Sequence, residues 1–136
     1  MYKVSLAMAL SFPDDCRYSD SHEYVRLQGE QACIGISAFA VDQLGDIVFV
    51  ELPQVGDRVE RGESFGSVES VKAVEELMAP ISGVVDIRNE SVLATPEELQ
   101  NDPYGEGWLL RITPSDESQI DVLMTAEVYR AKVEGL

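Results

Sequence analysis

Lys72 lies near the middle of the segment 63–85, which holds the residues best suited to chemistry in this chain. Strand-like runs flank its neighbours Val71 and Ala73, and the turn residues 80–83 close the far end of the segment. A hairpin tip fixes the Cα of a lysine, while the flexible four-carbon stem holds the amine clear of the protein body. This arrangement suits a nucleophilic amine that other enzymes must reach. The alternative is an ordinary exposed lysine in a turn.

Residues that could catalyse a reaction on their own are scarce. The chain has one histidine, and it lacks a phosphate-binding glycine loop, a GxSxG motif and metal-ligand spacing. Carboxylates are plentiful, but no spacing pairs them in a cleft, and charge-rich faces are usually only solvated. We therefore predict that the protein is not an enzyme and that it has neither catalytic residues nor a metal site.

Composition narrows the choice of partner. The chain has 136 residues, 45% hydrophobic and 26% charged, which suits one compact domain. Ten basic against 25 acidic residues give a formal charge of -15, so nucleic acid and anionic membrane surfaces would repel it. The acidity either steers the protein toward partners with basic docking surfaces or only confers solubility. Both interpretations remain open.

The first residues resemble a signal peptide only faintly, because Pro13 and two aspartates follow the apolar run instead of a cleavage site. We expect residues 1–19 to be an N-terminal extension and residues 20–136 to be a single domain. The expected location is the bacterial cytoplasm, or the mitochondrial matrix if this is a processed eukaryotic chain. Of the two cysteines, Cys33 is expected in the core and Cys16 at the surface.

The elements around Lys72 are mostly strands. Ser37 is a plausible N-cap for a short helix that ends near Leu44, with Gly45 as a left-handed C-cap. The turn 70–73 contains neither Gly nor Asn, although tight hairpin turns favour them. A C-terminal amphipathic helix over 118–134, interrupted at Thr125, should pack on the strands. The predicted strands are 22–27, 31–36, 46–52, a short one around Val59, two flanking Lys72, 84–87 and 108–113.

Five motifs carry a resemblance to a known family. In order and spacing, this chain resembles the glycine cleavage system H protein, and the motifs cover most of residues 20 to 135. Biotinyl domains usually have Met on both sides of the lysine, whereas this chain has Val and Ala, which favours lipoate. The motifs are HEYV at 22–25, LGDIVFVELPQVGD at 44–57, SFGSVESVKA at 64–73, PISG at 80–83 and NDPYGEGW at 101–108.

The resemblance implies a mostly β fold, a lipoyl/biotinyl-domain-like sandwich (barrel-sandwich hybrid) with short helices and a C-terminal helix. It also implies that Lys72 carries covalent lipoate, attached by a lipoyl or octanoyl transferase or by a lipoate ligase. A pyridoxal-phosphate glycine decarboxylase would load the arm with an aminomethyl group. A tetrahydrofolate-dependent aminomethyltransferase would unload it, and dihydrolipoamide dehydrogenase would reoxidise it, so the chemistry belongs to the cofactor and these partners.

The same resemblance assigns roles to a few other residues. Glu69 and Ser70 match the family motif beside the lysine and are expected to help the modifying enzyme recognise the turn, although they could simply solvate it. His22 and Glu23 are candidates for a surface on which the loaded arm docks, or they are ordinary strand-end residues. The 101–108 motif is expected to shape a loop and to anchor Trp108 in the core.

Two alternatives to glycine cleavage remain open. A lipoyl relay that donates its group to 2-oxoacid dehydrogenase domains would use the same lysine. An unmodified interaction module would keep the fold without the chemistry. The intact ESVKA motif argues against the second alternative.

Overall fold

The structure, a computed structural model, describes residues 10–135. Within that range the chain forms nine strands and five helices. The strands are β1 Cys16–Tyr18, β2 Glu23–Gln28, β3 Gln31–Ile36, β4 Ile47–Glu51, β5 Arg58–Val59, β6 Ser64–Ser70, β7 Val74–Met78, β8 Gly83–Arg88 and β9 Leu110–Pro114. The helices are α1 Ala38–Leu44, α2 Glu90–Ala94, α3 Glu97–Asn101, α4 Ser118–Asp121 and α5 Ala126–Glu134.

The strands form two antiparallel sheets. The larger sheet has six strands in the order β1-β2-β3-β9-β8-β5, and the smaller has three in the order β4-β6-β7. The inner faces of both sheets contribute to one apolar core, with Ile34 and Ile112 from the larger sheet and Val50 and Val68 from the smaller. This arrangement confirms the predicted mostly β sandwich, including its central β6–β7 hairpin and its C-terminal helix.

Strand β3 is buried on both faces, which separates a second apolar cluster from the main core. Gly35 pairs with Tyr24 across the β2–β3 ladder, and a Cβ at Gly35 would lie 2.5 Å from the tyrosine ring. Glycine thus leaves room for the ring of Tyr24 on the outer face of β3. Tyr18 and Tyr129 stack beside it with ring centroids 4.5 Å apart, so helix α5 packs on the sandwich as predicted.

Two expectations for single residues are wrong. Cys16, on strand β1, was expected at the surface but is 1% exposed, because its side chain packs in the second cluster. Cys33 is buried, as predicted. Trp108 is only half-buried, with the Arg111 guanidinium 4.4 Å from its ring centroid. The leucine that follows it fills the core instead, since Leu109 is fully buried and its N–H donates to the Ile34 carbonyl.

Residues 1–9 of the predicted extension lie outside the described residues. The described part of the extension includes Phe12, which is buried in the second cluster, and strand β1, which pairs with β2. The division of the chain at residue 19 stays a prediction. No helix within residues 10–135 is long and apolar enough to cross a membrane.

Candidate functional site

Ser70 organises the turn that presents Lys72. The Ser70 N–H donates to the Ala73 carbonyl at 2.8 Å, which closes the β6–β7 hairpin. The buried Ser70 hydroxyl accepts from the N–H groups of Lys72 at 3.3 Å and Ala73 at 3.1 Å. A serine hydroxyl that bonds the backbone two residues on stabilises a turn without glycine. This explains how the segment 70–73 turns although it lacks the residues that tight hairpin turns favour.

The junction between α1 and β4 supports the same turn from the side. Helix α1 begins as predicted, with the Ser37 hydroxyl accepting from Ala40 N–H, and ends at Gly45. Gly45 has φ +78° and ψ -143°, so its φ is positive as expected, but its ψ lies outside the left-handed helical region. The N–H of Val71 donates to the carbonyl of Asp46, the next residue, at 2.9 Å. The turn is therefore fixed at its base and at its side.

Lys72 itself is exposed, and its stem passes close to Gly45. A Cβ at Gly45 would lie 3.6 Å from the Lys72 Cε and 3.9 Å from its Nζ. None of the ion pairs within residues 10–135 involves Lys72, whereas Lys132 pairs with Asp20 at 2.5 Å. The amine of Lys72 is thus the one lysine amine in the described chain that is carried on a hairpin turn, since Lys132 lies on helix α5.

A groove of about 430 Å³ begins beside this turn and runs between α1 and β7; we call it the α1–β7 groove. Ala73, directly after the lysine, lines its mouth. Its floor is apolar, and its edges carry hydroxyl, imidazole and carboxylate groups. The apolar lining includes Ile36, Phe39, Leu44, Val68 and Leu77, and the polar edges include Ser21, His22, Glu23, Glu75 and Glu76.

Glu23 is the buried acid of the groove, with an exposed fraction of 2%. Its Oε1 accepts from the hydroxyls of Ser19 at 2.9 Å and Ser21 at 2.5 Å. Its Oε2 accepts from the N–H of Met78 at 3.1 Å, which links β2 of the larger sheet to β7 of the smaller. Burial raises the pKa of the Glu23 carboxyl, although these hydrogen bonds act in the opposite direction. Glu23 therefore both joins the two sheets and lines the groove.

His22 is held in an unusual backbone conformation next to this acid. It is the non-glycine residue with a positive φ, +77°, among the described residues. Its Nδ1 lies 2.7 Å from the hydroxyl of Tyr129 on helix α5, which is itself 2.7 Å from the hydroxyl of Ser37. Its ring centroid is 5.0 Å from that of Phe39, and burial lowers the pKa of the imidazole. The C-terminal helix thus fixes the position of the histidine.

The structure brings together some of the predicted site residues and separates others. His22 and Glu23 meet at the groove that opens beside Lys72. Ser70 is buried inside the turn, while Glu69 is exposed on the outer face of the smaller sheet. The two residues predicted to assist the modifying enzyme therefore have different surroundings: one shapes the turn and the other is free to contact a partner.

Sequence reasoning missed Glu75, Glu76, Phe39 and Tyr129. Glu75 occupies the same strand face as the buried Leu77. A carboxylate at such a position indicates an open end of the sandwich, so the irregular alternation of β7 could have revealed the groove. Tyr129 carries no comparable pattern, because it is distant in the chain from His22. Within residues 10–135, no group of three or more His, Cys, Asp or Glu residues could hold a metal ion.

Comparison with known proteins shows the family to which this chain is similar. A family model described as Glycine cleavage H-protein matches residues 16–135. Glycine cleavage system H proteins from Synechococcus sp. (strain CC9605) and Nostoc punctiforme are 67% and 57% identical over 128 residues, covering 94% of this chain and 99% of each relative. The crystal structure of the H protein from Mycobacterium marinum has a TM-score of 0.84 at 39% identity, covering 92% of this chain and 100% of that one. The chain therefore belongs to the glycine cleavage H-protein family, a family of lipoyl carriers with a lipoyl-domain-like fold.

Proposed function

We propose that Lys72 carries a lipoyl group in amide linkage and that the protein shuttles the aminomethyl group of glycine between enzymes on this arm. The observation that most supports this proposal is the position of the Lys72 amine, which is exposed on a turn fixed by Ser70 and lies directly beside the α1–β7 groove. Lys132 lies on helix α5 and not at a hairpin turn, and Lys3 lies outside the described residues.

Attachment uses the amine as a nucleophile. The deprotonated Nζ of Lys72 attacks the carbonyl carbon of an activated acyl group, and the bond from that carbon to its leaving group, AMP or a thiol, breaks. The ammonium gives up one proton, and with it the positive charge, to become the attacking amine, and Nζ loses a second proton to the leaving group or solvent as the amide forms. The protein contributes a fixed Cα and an unpaired amine, while the modifying enzyme supplies the activation.

The groove has the chemistry that such an arm needs. A volume of about 430 Å³ lies within the usual range for small-molecule sites, about 300–1,000 Å³. Its apolar floor suits a hydrocarbon chain. The carboxylate of Glu75, on the same strand face as the groove residue Leu77, suits a protonated amine at the far end of the arm. Shelter in the groove would keep water from a labile aminomethyl group.

When bound, the lipoyl group supplies a disulfide that is reduced as it accepts the aminomethyl group and is later reoxidised. We infer three partners in this order: a pyridoxal-phosphate glycine decarboxylase, a tetrahydrofolate-dependent aminomethyltransferase and dihydrolipoamide dehydrogenase. A lipoyl or octanoyl transferase, or a lipoate ligase, would attach the group. The proposed location is the bacterial cytoplasm, supported by the cyanobacterial relatives.

Intact-mass measurement before and after incubation with lipoate, ATP and a lipoate ligase tests the attachment. One lipoyl adduct, located on Lys72 by fragmentation, is expected. Lys72→Arg keeps the charge but should remain unmodified, because a guanidinium does not form the amide. Lys132→Arg is the matched control and should be modified like the wild-type protein. An adduct on Lys132, or no adduct while a known acceptor domain is modified in parallel, would contradict the proposal.

A second assay separates the glycine role from a lipoyl relay. The lipoylated protein should support release of carbon dioxide from glycine by the decarboxylase, and Lys72→Arg should not. A protein that is lipoylated and donates its group to 2-oxoacid dehydrogenase domains, yet gives no glycine-dependent activity, would be a relay. A folded protein that accepts no lipoate would be an unmodified interaction module.

A further inference from the structure

Three polar side chains from distant parts of the chain form a line of hydrogen bonds at the edge of the α1–β7 groove. The hydroxyl of Tyr129, on helix α5, lies 2.7 Å from the hydroxyl of Ser37 and 2.7 Å from Nδ1 of His22. Ser37 and Tyr129 are fully buried, whereas His22 is half-buried and lines the groove. We call this line of hydrogen bonds the Ser37–Tyr129–His22 relay.

The acceptors within reach of each hydroxyl fix the positions of the protons in the relay. The Ser37 hydroxyl accepts from the N–H of Ala40 at 3.2 Å, and its one other side-chain partner among residues 10–135 is the Tyr129 hydroxyl. The Ser37 proton must therefore go to Tyr129, because a buried donor without an acceptor loses the hydrogen bond it had in water. The Tyr129 proton then has one acceptor left, which is Nδ1 of His22.

This direction of the relay fixes the tautomer of His22. A ring nitrogen that accepts from Tyr129 carries no proton, so neutral His22 has its proton on Nε2. Protonation of the ring would make Nδ1–H donate to Tyr129, and the reversed relay would leave the Ser37 proton without an acceptor. The relay therefore disfavours the imidazolium form. Nε2 has no hydrogen-bond partner within the described residues, and it is not buried from solvent.

The charged groups near His22 act in both directions on its protonation. Burial lowers the pKa of the imidazole, the Lys132 ammonium on α5 lowers it further, and the Asp20 carboxylate in the preceding turn raises it. Helix α1 contributes no charged residue to the groove among those described. Acids on the groove edges would favour protonation; they are Glu23, Glu75 and Glu76. The relay thus holds the ring neutral against several carboxylates.

His22 lies toward the end of the groove that is distant from the lysine. The wall along β7 begins at Ala73, directly after the lysine, and reaches Leu77 about 13 Å further along the strand. Glu23, which follows His22, accepts from the N–H of Met78, the residue after Leu77. The sulfur atoms of a lipoyl group are at the far end of its arm. They are therefore the atoms of the arm that would meet the Nε2–H donor.

We propose that Tyr129 is a positioning residue for the groove: its hydroxyl holds His22 neutral with the proton on Nε2, and this N–H donates to a sulfur atom of the arm on Lys72. The tautomer depends on the protein alone, whereas the contact with sulfur rests on the proposed lipoyl attachment. Among the described residues that line the groove, none comes from helix α5. The C-terminal helix therefore acts on the groove through His22.

NMR spectroscopy of the unlipoylated protein tests the tautomer. Because His22 is the one histidine of the chain, its two ring nitrogens give one pair of signals in a long-range proton–nitrogen spectrum of isotope-labelled protein. At pH 7 we expect Nδ1 to have the shift of an unprotonated nitrogen and Nε2 that of a protonated one. The ring should titrate below its ordinary pKa of 6.5. A proton on Nδ1, or an imidazolium at pH 7, would overturn the inference.

Two variants of helix α5 separate the hydroxyl from packing. Tyr129→Phe removes the hydroxyl and keeps the ring. Val133→Ala is the matched control, because Val133 is buried in the same second cluster. We expect Tyr129→Phe to give a mixture of both neutral tautomers of His22 and Val133→Ala to keep the wild-type signals, with urea unfolding to verify that each variant is folded. Identical His22 signals in the two variants would give Tyr129 a packing role only and overturn the inference.

The contact with the arm is tested on lipoylated protein that carries the aminomethyl group. Water breaks the carbon–sulfur bond of this group, which gives a thiol, formaldehyde and ammonia. An arm that has lost one hydrogen bond should leave the groove more often, so Tyr129→Phe and His22→Asn should release formaldehyde about two- to tenfold faster than the wild type. Asn tolerates the positive φ at this position. Val133→Ala should leave the rate unchanged.

Loading of the arm should also move the Nε2 signal of the wild-type protein, because its N–H gains an acceptor. An unchanged release rate in Tyr129→Phe and His22→Asn, or an Nε2 signal that does not move on loading, would overturn the contact with sulfur. A wild-type protein that accepts no lipoate would instead overturn the proposed function. The tautomer, measured on the unmodified chain, tests the role of Tyr129 independently of that outcome.

Discussion

Glu23 offers a sharp test of how the two sheets and the groove are connected. Its carboxylate lies on β2 and accepts from the N–H of Met78 on β7. Glu23→Ala would leave this partly buried N–H without an acceptor, at a cost of about 1–3 kcal/mol. In Glu23→Gln the amide oxygen can still accept from Met78, while the amide NH2 faces the hydroxyls of Ser19 and Ser21, which can turn to accept. We therefore expect the alanine variant to be about 1–3 kcal/mol less stable than the glutamine variant.

The pH dependence of the same comparison tests the buried charge. Burial raises the pKa of Glu23 above its ordinary value of 4.5, so the folded protein binds this proton more tightly than the unfolded chain. The contribution of Glu23 to stability is therefore greatest below pH 4.5 and falls as pH rises through the raised pKa. Gln does not titrate. The stability of Glu23→Gln relative to the wild type should increase from pH 4 to pH 7, roughly over the window the raised pKa defines.

Urea unfolding at a series of pH values provides both measurements. The urea concentrations at the unfolding midpoints are compared between proteins that share the same m value, the slope of the unfolding free energy against urea concentration. His22 titrates nearby, but it is present in both proteins, so its effect largely cancels in the difference. Equal stability of the alanine and glutamine variants would refute the role of the Met78 hydrogen bond. A stability difference between wild type and Glu23→Gln that does not change with pH would refute the raised pKa.

Three further changes test the turn and the second cluster. Ser70→Ala removes the hydroxyl that accepts from two N–H groups of the turn, and the exposed one of these groups can bond to water instead. We therefore expect a loss of about 1 kcal/mol by urea unfolding and slower acylation of Lys72. An unchanged stability together with an unchanged acylation rate would contradict the role of the hydroxyl. Gly45→Ala places a Cβ against the lysine stem and strains a backbone with positive φ. We expect this strain to cost about 1–3 kcal/mol of stability and the variant to be acylated more slowly. Gly29→Ala strains a backbone with positive φ in the same way, but its Cβ would have no atom within 4 Å, so it should lower stability alone. Burial raises the pKa of the Cys16 thiol to about 12, so iodoacetamide at pH 8 should leave it unmodified in native protein and label it in urea; rapid native labelling would show that the thiol is accessible.

Local sequence determined several parts of this molecule. The approximate positions of the strands, the Ser37 cap and the break at Thr125 all depend on residues within a few positions of one another, and the structure confirms them. The five motifs together identified the family, which the comparisons confirm, and the motif around Lys72 placed the lysine in the turn of the central hairpin. Cys16 and Trp108 were predicted wrongly because burial depends on what packs against a residue, and that partner is distant in sequence.

The tertiary structure decided how the site is assembled. His22 is positioned by Tyr129, 107 residues later, and Glu23 by Met78, 55 residues later. The α1–β7 groove is lined by residues of α1, β2, β3, β6 and β7, which only the fold brings together. The exposure of both Val48 and Phe49 depends on strand register, which a bulge shifts by one residue. Apart from the irregular alternation of β7, which marks the groove, no local pattern encodes these contacts, since each one forms when chain segments far apart in sequence pack together.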